Sequence, residues 1–349
     1  MPDHHEDNPN DPNDPSGPAE PTVATGRWRR RRPLALGALL GLLLGAGTTL
    51  GVGTAADRWD DAPSTFCWGA LSRDDLAGVL SESMIERSVV QGETPLGGNS
   101  PQCQLVVGEQ GLRQQLTVTV GWIDAHDVTG TWAERFLHPE LTPYPGDPVG
   151  LAGPRAAWVR LPPDCHPGEA FGRSDTRVVS VVAEGKYVEP ADGEVARTAL
   201  RVANAALDHY GCHGRYATDD DSLAEEPPGA EVVEDREEFC GTGTQPPDGL
   251  PAAMLGTPGG PVRVCSGYPH DPEQIFRLVT VEDPGLAAPF LAQERRGQYP
   301  IRVLECGAES GVVLAQSWDR WLEREGIELT ELLDRYAATE AERLGCQLA

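Results

Sequence analysis

The chain has 349 residues, with 28 Lys and Arg against 54 Asp and Glu and a formal net charge of −26. That length accommodates two folded units with additions, and an acid excess of this size repels phosphate backbones, which excludes broad nucleic-acid binding. Lys186 is the sole lysine, so lysine chemistry is excluded elsewhere, while 40 Gly and 31 Pro beside 39% hydrophobic residues indicate real cores interrupted by many turns.

Residues 1–26 are rich in Pro, Asp and Asn and hold too little apolar surface to offset chain entropy, so 1–32 is expected to be a disordered cytoplasmic tail ending in a basic flank. That flank carries five arginines, Arg27 and Arg29 to Arg32. Residues 34–56 then run for 23 positions without a charge. As a helix they would span about 34 Å, enough for the hydrocarbon core of a bilayer. Asp57, Arg58, Asp60 and Asp61 follow. The positive-inside rule therefore predicts a single-pass signal-anchor over 33–56, with a cytoplasmic N-terminus and an extracellular remainder of the chain. Thr54-Ala55-Ala56 offers a second reading, a cleaved signal peptide. No cysteine ends the apolar run, which excludes a lipoprotein anchor. Gly37, Gly41 and Gly45 repeat at four-residue spacing, a pattern that allows close helix approach in lipid. It points to a homodimer, or to a subunit joined to a membrane complex through this helix.

Eight cysteines, Cys67, Cys103, Cys165, Cys212, Cys240, Cys265, Cys306 and Cys346, all follow the apolar run. An even number confined to the outer region predicts disulfides in an oxidising compartment. No C-x-x-C spacing occurs, which argues against thioredoxin-like chemistry and structural zinc. Phe66-Cys67 and Phe239-Cys240 open two similar stretches, and Gly211-Cys212 and Gly345-Cys346 close them, each after an acid–Cys pair (Asp164-Cys165, Glu305-Cys306). This ordered self-similarity predicts a tandem duplication, with copy 1 over 57–213 and copy 2 over 239–349. Among the 105 pairings that eight cysteines allow, the expected scheme joins Cys67–Cys103, Cys165–Cys212, Cys240–Cys265 and Cys306–Cys346. No thiol is then left for nucleophilic chemistry.

In chain order, copy 1 is expected to have a short helix at Asp74–Ser81 and strands at Cys103–Gly108 and Gln115–Ile123. A helix near Val128–His138 follows, then strands at Ala156–Leu161 and Arg177–Ala183, and an amphipathic helix over Asp192–Tyr210. Residues 214–238 hold ten acids against Arg215 and Arg236 and read as a self-repelling, solvated linker. Copy 2 repeats the order, with a short helix at Gly249–Leu255 and strands at Val262–Ser266 and Phe276–Val281. A helix at Leu286–Arg295, strands at Ile301–Glu305 and Gly311–Gln316, and a helix over Leu329–Leu344 complete it. The predicted fold class is α+β: two duplicated, disulfide-bonded domains, each α-β-β-α-β-β-α with an antiparallel sheet.

No serine-hydrolase elbow, H-E-x-x-H, P-loop or dinucleotide fingerprint is present. Gly307-Ala308-Glu309-Ser310-Gly311 has the wrong offset. His166 and His213 each follow a cysteine and would approach one another if Cys165 pairs with Cys212, forming with Asp164 or with Asp208-His209 a candidate metal site, but histidines beside disulfides are ordinarily exposed polar residues. Carboxylates are too dense for any close pair to be informative. Of the tryptophans, Trp122, Trp132, Trp158, Trp318 and Trp321, the pair Trp318 and Trp321 would form an exposed platform for a partner or a carbohydrate. Core packing accounts for most of the five equally well. No catalytic, cofactor-binding or metal-ligating residue is assigned.

The arginine-flanked anchor, the preference for Arg over Lys and the cysteine-bearing outer copies together resemble single-pass membrane proteins of Streptomyces-type actinobacteria. Each copy, opening on Phe66-Cys67…Leu76 or Phe239-Cys240…Leu250, also looks like small secreted lipoprotein domains of unknown function. The resemblance covers roughly 66–346 and implies an envelope location, with no catalytic residues to carry over. The expected function is a non-enzymatic binding protein of the cell envelope, anchored in the bilayer through 34–56 and meeting an envelope protein or small ligand. A membrane-complex subunit is the alternative, and a cell-envelope hydrolase the least favoured one.

Overall fold

The computed structural model describes residues 64–349 apart from 99, 110, 124–130, 166–175, 220–222, 224–230, 234–252, 257–259, 269–275, 295–299, 318–320 and 325. Residues 34–56 lie outside this range, as does Cys240. No helix among the described residues is long and apolar enough to cross a membrane.

The first half begins with a two-stranded hairpin, β1 (Thr65–Phe66) and β2 (Leu71–Ser72), followed by α1 (Arg73–Val79) and α2 (Glu82–Ile85). A reciprocal cap starts α1: the Asp75 N–H donates to Ser72 Oγ at 3.2 Å, and the Ser72 N–H donates to Asp75 Oδ2 at 2.7 Å. Then come β3 (Val89–Glu93), β4 (Gln102–Val107), β5 (Gln114–Trp122), α3 (Thr131–Phe136), β6 (Thr142–Pro143), β7 (Gly150–Ala152), β8 (Ala156–Arg160), β9 (Arg177–Gly185) and α4 (Glu194–Tyr210). The second half has β10 (Glu231–Val233), β11 (Ala253–Gly256), β12 (Val262–Tyr268), β13 (Phe276–Val281), α5 (Pro284–Glu294), β14 (Ile301–Cys306), β15 (Glu309–Ser317), α6 (Trp321–Arg324), α7 (Leu329–Leu344) and β16 (Gln347–Leu348).

Two seven-stranded antiparallel sheets result, in the orders β3-β4-β5-β9-β8-β7-β6 and β10-β11-β12-β13-β15-β14-β16. Their central parts follow one plan: β4-β5-β9-β8 in the first sheet and β12-β13-β15-β14 in the second. The α+β class and the antiparallel pairing agree with the sequence. The start of the second half does not: where a helix was expected at Gly249–Leu255, β11 pairs with β12, and β10 falls within the stretch read as a solvated linker.

Alternation along the strands sends the two faces of each sheet into different cores. In the first sheet one row runs through Cys103, Val118, Val181 and Ala157, all fully buried beneath α4 and α1. In the second, Cys265, Leu278 and Ala315 form the equivalent row beneath α7. The opposite faces meet in a shared core that joins Trp158, Val178 and Val182 to Val264, Val279, Val281, Leu286, Phe290 and Leu314. The whole of Pro63–Ala349 is accordingly one compact unit.

Polar groups lock this shared layer from both sides. From the first sheet, Arg160 pairs with Asp283, whose Oδ1 also accepts the Leu286 N–H at 2.8 Å at the start of α5. From the second, the fully buried Arg277 donates through Nη1 to the carbonyls of Ala133 (2.6 Å) and Leu137 (2.8 Å) at the end of α3, and through Nε to Gln316 Oε1 at 3.2 Å. A cation at a helix C-terminus matches the carbonyl dipoles left open there.

The two long helices end identically. Gly211 and Gly345 take left-handed conformations (φ 68° and 66°), which glycine adopts without strain. The N–H of the next residue reaches back five positions in both: Cys212 to Leu207 O at 2.9 Å and Cys346 to Ala341 O at 2.8 Å. Each cysteine is thereby presented for a disulfide, Cys165–Cys212 and Cys306–Cys346, while Cys67–Cys103 closes the first half's opening segment. These three pairs are the ones expected. Cys265 is also disulfide-bonded; its expected partner, Cys240, lies outside the described residues.

Candidate functional site

The buried charges of the described residues are matched, with one exception. Glu340 is fully buried on α7 but receives Arg263 Nη1 at 2.7 Å and Arg343 Nη2 at 2.8 Å. Arg160 has Asp283, Arg201 has Asp75 and Glu194, and Arg277 has helix carbonyls. Arg177 has no such counterpart. It is 7% exposed, and its Nε and Nη1 are sealed from water without a hydrogen-bond partner.

Three elements build its surroundings. Arg177 opens β9 directly opposite Trp122, the last residue of β5, and its backbone carbonyl accepts the Leu161 N–H at 2.9 Å. Tyr210 is the last residue of α4, two positions before the Cys165–Cys212 bridge. Its hydroxyl donates to Leu96 O at 2.6 Å, which fixes the ring. The guanidinium carbon lies 4.5 Å from the Trp122 ring centre and 4.2 Å from that of Tyr210, so two aromatic rings hold the cation. Both rings are half-buried, and His209 lies edge-on to Tyr210 at 5.1 Å. Burial pushes the Arg177 guanidinium below its ordinary value, opposed by Tyr210; burial raises the Tyr210 phenol, opposed by Arg177.

The second half does not repeat this cage. Aligning Cys265 with Cys103 on their strand partners, and Cys346 with Cys212, puts Glu282, Gly311 and Leu344 at the places of Trp122, Arg177 and Tyr210. There Glu282 pairs with Arg343 instead.

Of the residues singled out from the sequence, Trp122 enters the cage and Trp158 lies in the shared core. The Trp158 Nε1–H donates to Phe136 O at 2.7 Å, and Trp132 sits edge-on to its ring at 5.6 Å. Trp318 and the side chain of Trp321 lie outside the described residues, as does His166. The Cys165–Cys212 bond does bring His213 to Asp164, with 3.4 Å from Nδ1 to Oδ2, but the His213 side chain is 96% exposed. Among the described residues no three His, Cys, Asp or Glu side chains converge in a way that could hold a metal.

Arg177 and Tyr210 were read from the sequence only as the beginning of a strand and the end of a helix. No spacing joins positions 122, 177 and 210. The available signal was an arginine heading an otherwise apolar strand, Arg177-Val178-Val179, in a chain where acids outnumber bases. What the arrangement offers chemically is a fixed cation with spare donors between two flat apolar faces. No family model, no curated protein and no solved structure matches this chain.

Proposed function

We propose that this chain is a membrane-anchored, extracytoplasmic, non-enzymatic binding protein of the cell envelope, built from two copies of one disulfide-clamped unit. The anchor is the uncharged run 34–56 behind its five arginines. The duplication is supported by the common strand plan, the two identical helix ends and the two bridges that start from them. Disulfides that close whole segments persist in oxidising compartments, which favours the outer side of the membrane.

The observation that carries the binding reading is the Arg177 cage. A guanidinium stays charged throughout the physiological range and neither takes nor gives a proton. Aromatic faces and fixed donors hold a ligand and do not transform it. The reading is tested by placing short tags at both ends of the chain and treating intact cells that express it with protease. The C-terminal tag is expected to be removed and the N-terminal tag protected, both residing on one uncleaved polypeptide before digestion. Protection of the C-terminal tag in intact cells, with its loss only after lysis, would overturn the outer placement.

A further inference from the structure

We propose that the Arg177 cage of the first half is a binding site for a small organic monocarboxylate. The inference deepens the binding reading above and rests on it for the site's exposure to envelope ligands.

Burying a guanidinium away from water is costly unless a counter-charge or acceptor replaces the lost solvent. Every other deeply buried charge described above has such a replacement, in a chain with 54 acids to draw on. Arg177 has two aromatic rings, which supply part of the compensation. They supply no acceptor for Nε and Nη1. Donors held unmatched by a rigid sheet and a disulfide-tethered helix end are groups set for an acceptor that arrives with a ligand. The backbone of Arg177 is pinned in β9, Tyr210 is pinned through Leu96, and α4 is pinned through Cys212, so the cage is preorganised.

The charge selects the ligand class. Of the three cage residues only the Arg177 guanidinium is charged at pH 7, since Trp122 and the Tyr210 phenol are neutral there, so the cage supplies a single positive charge. That matches a carboxylate monoanion; a phosphate dianion would keep an uncompensated charge, in a chain of net charge −26. The half-buried Trp122 and Tyr210 rings add flat apolar surface for the ligand's body, which favours benzoate over acetate. In the second half Glu282 occupies the place of Trp122 and would repel the same ligand, so one site per chain is expected.

The test uses the full chain, extracted in a mild non-ionic detergent with arginine side chains labelled by nitrogen-15. Benzoate, acetate and inorganic phosphate are titrated at constant ionic strength and pH 7. The Arg177 Nε–H resonance, assigned by its absence in Arg177→Met, should shift saturably with benzoate, less readily with acetate, and not with phosphate. Arg177→Lys keeps the charge but loses the planar fork, and should weaken benzoate binding at least about 10-fold. Arg177→Met should unfold at a temperature equal to or above that of the parent, because it removes an uncompensated buried charge. An Arg177 resonance unmoved by benzoate, a stronger response to phosphate, or a marked destabilisation by Arg177→Met would overturn the proposal. Protease protection of the C-terminus would instead refute the envelope reading and leave the cage chemistry intact, so the two failures are separable.

Discussion

Replacing Arg277 by Met tests whether the two halves stand or fall together. The arginine belongs to the second sheet, yet its Nη1 serves the carbonyls of Ala133 and Leu137 in the first half. Methionine fills much of the aliphatic stem's volume, so the main loss is polar. The Ala133 carbonyl keeps the Leu137 N–H at 2.9 Å and the Gln316 side chain is only half-buried, whereas the buried Leu137 carbonyl loses the arginine's donor. At about 1–3 kcal/mol for a buried acceptor so deprived, the cost is centred on about 2 kcal/mol. For a folded unit of this size, with a urea dependence of about 3 kcal/mol per molar, the midpoint should fall by about 0.7 M. The assay is urea unfolding of the detergent-extracted chain, followed by tryptophan fluorescence and by near-ultraviolet circular dichroism. Both probes should move together in one transition, because the core between the sheets is common property. The Arg277 charge also lowers the neighbouring His138, so the same variant should raise the titration midpoint of that imidazole by NMR. A midpoint shift under about 0.3 M, or two separated transitions in the parent protein, would refute this account of the shared layer.

Replacing Cys67 and Cys103 together by serine opens a bridge spanning 36 positions and should cost about 4 kcal/mol in the chain-entropy picture, read by the same urea assay. His138 is lowered below its ordinary value mainly by burial, with Glu140 opposing and Arg277 reinforcing. The unfolded chain therefore binds the extra proton first, and stability should decline as pH falls through 6.5 towards the folded value. His138→Gln should flatten that part of the profile. Tyr216, whose hydroxyl donates to Arg160 O at 2.7 Å, is pushed up to about 12 by burial and Asp164, with Arg160 opposing. Its unfolded form ionises first, near pH 10, so its stability contribution should be lost between pH 10 and 12. Tyr216→Phe should reduce the alkaline slope there and cost about 1 kcal/mol at neutral pH.

Elements whose pattern is local could be read from the sequence. Phe276–Val281 and Leu329–Leu344 have the bounds the sequence predicts, because a short, mostly apolar β-type run and a helical stripe ending at glycine are each set by neighbouring residues. The three observed disulfides agree with the order of the cysteines, and in two of them the glycine end of a long helix presents the next residue, Cys212 or Cys346, to a cysteine at or just beyond the end of β8 or β14. What the sequence concealed was non-local. Ala253, Met254 and Leu255 are strong helix formers, yet they lie in a strand because β12 pairs with all three and β10 pairs with Met254 and Leu255 from the other side. The edge strand β3 carries Gln91, Gly92 and Glu93 and has no apolar alternation to announce it. The Arg177 cage needs the register of β5 on β9 and the tether at Cys212, neither of which leaves a spacing in the chain.

The most direct test of the account is non-reducing peptide mapping of the full-length protein, with free thiols blocked at lysis. The prediction is Cys67–Cys103, Cys165–Cys212 and Cys306–Cys346, together with Cys240–Cys265 and no alkylated cysteine. Blocked free thiols, or bridges running between the halves, would contradict an exported protein made of two separately clamped copies.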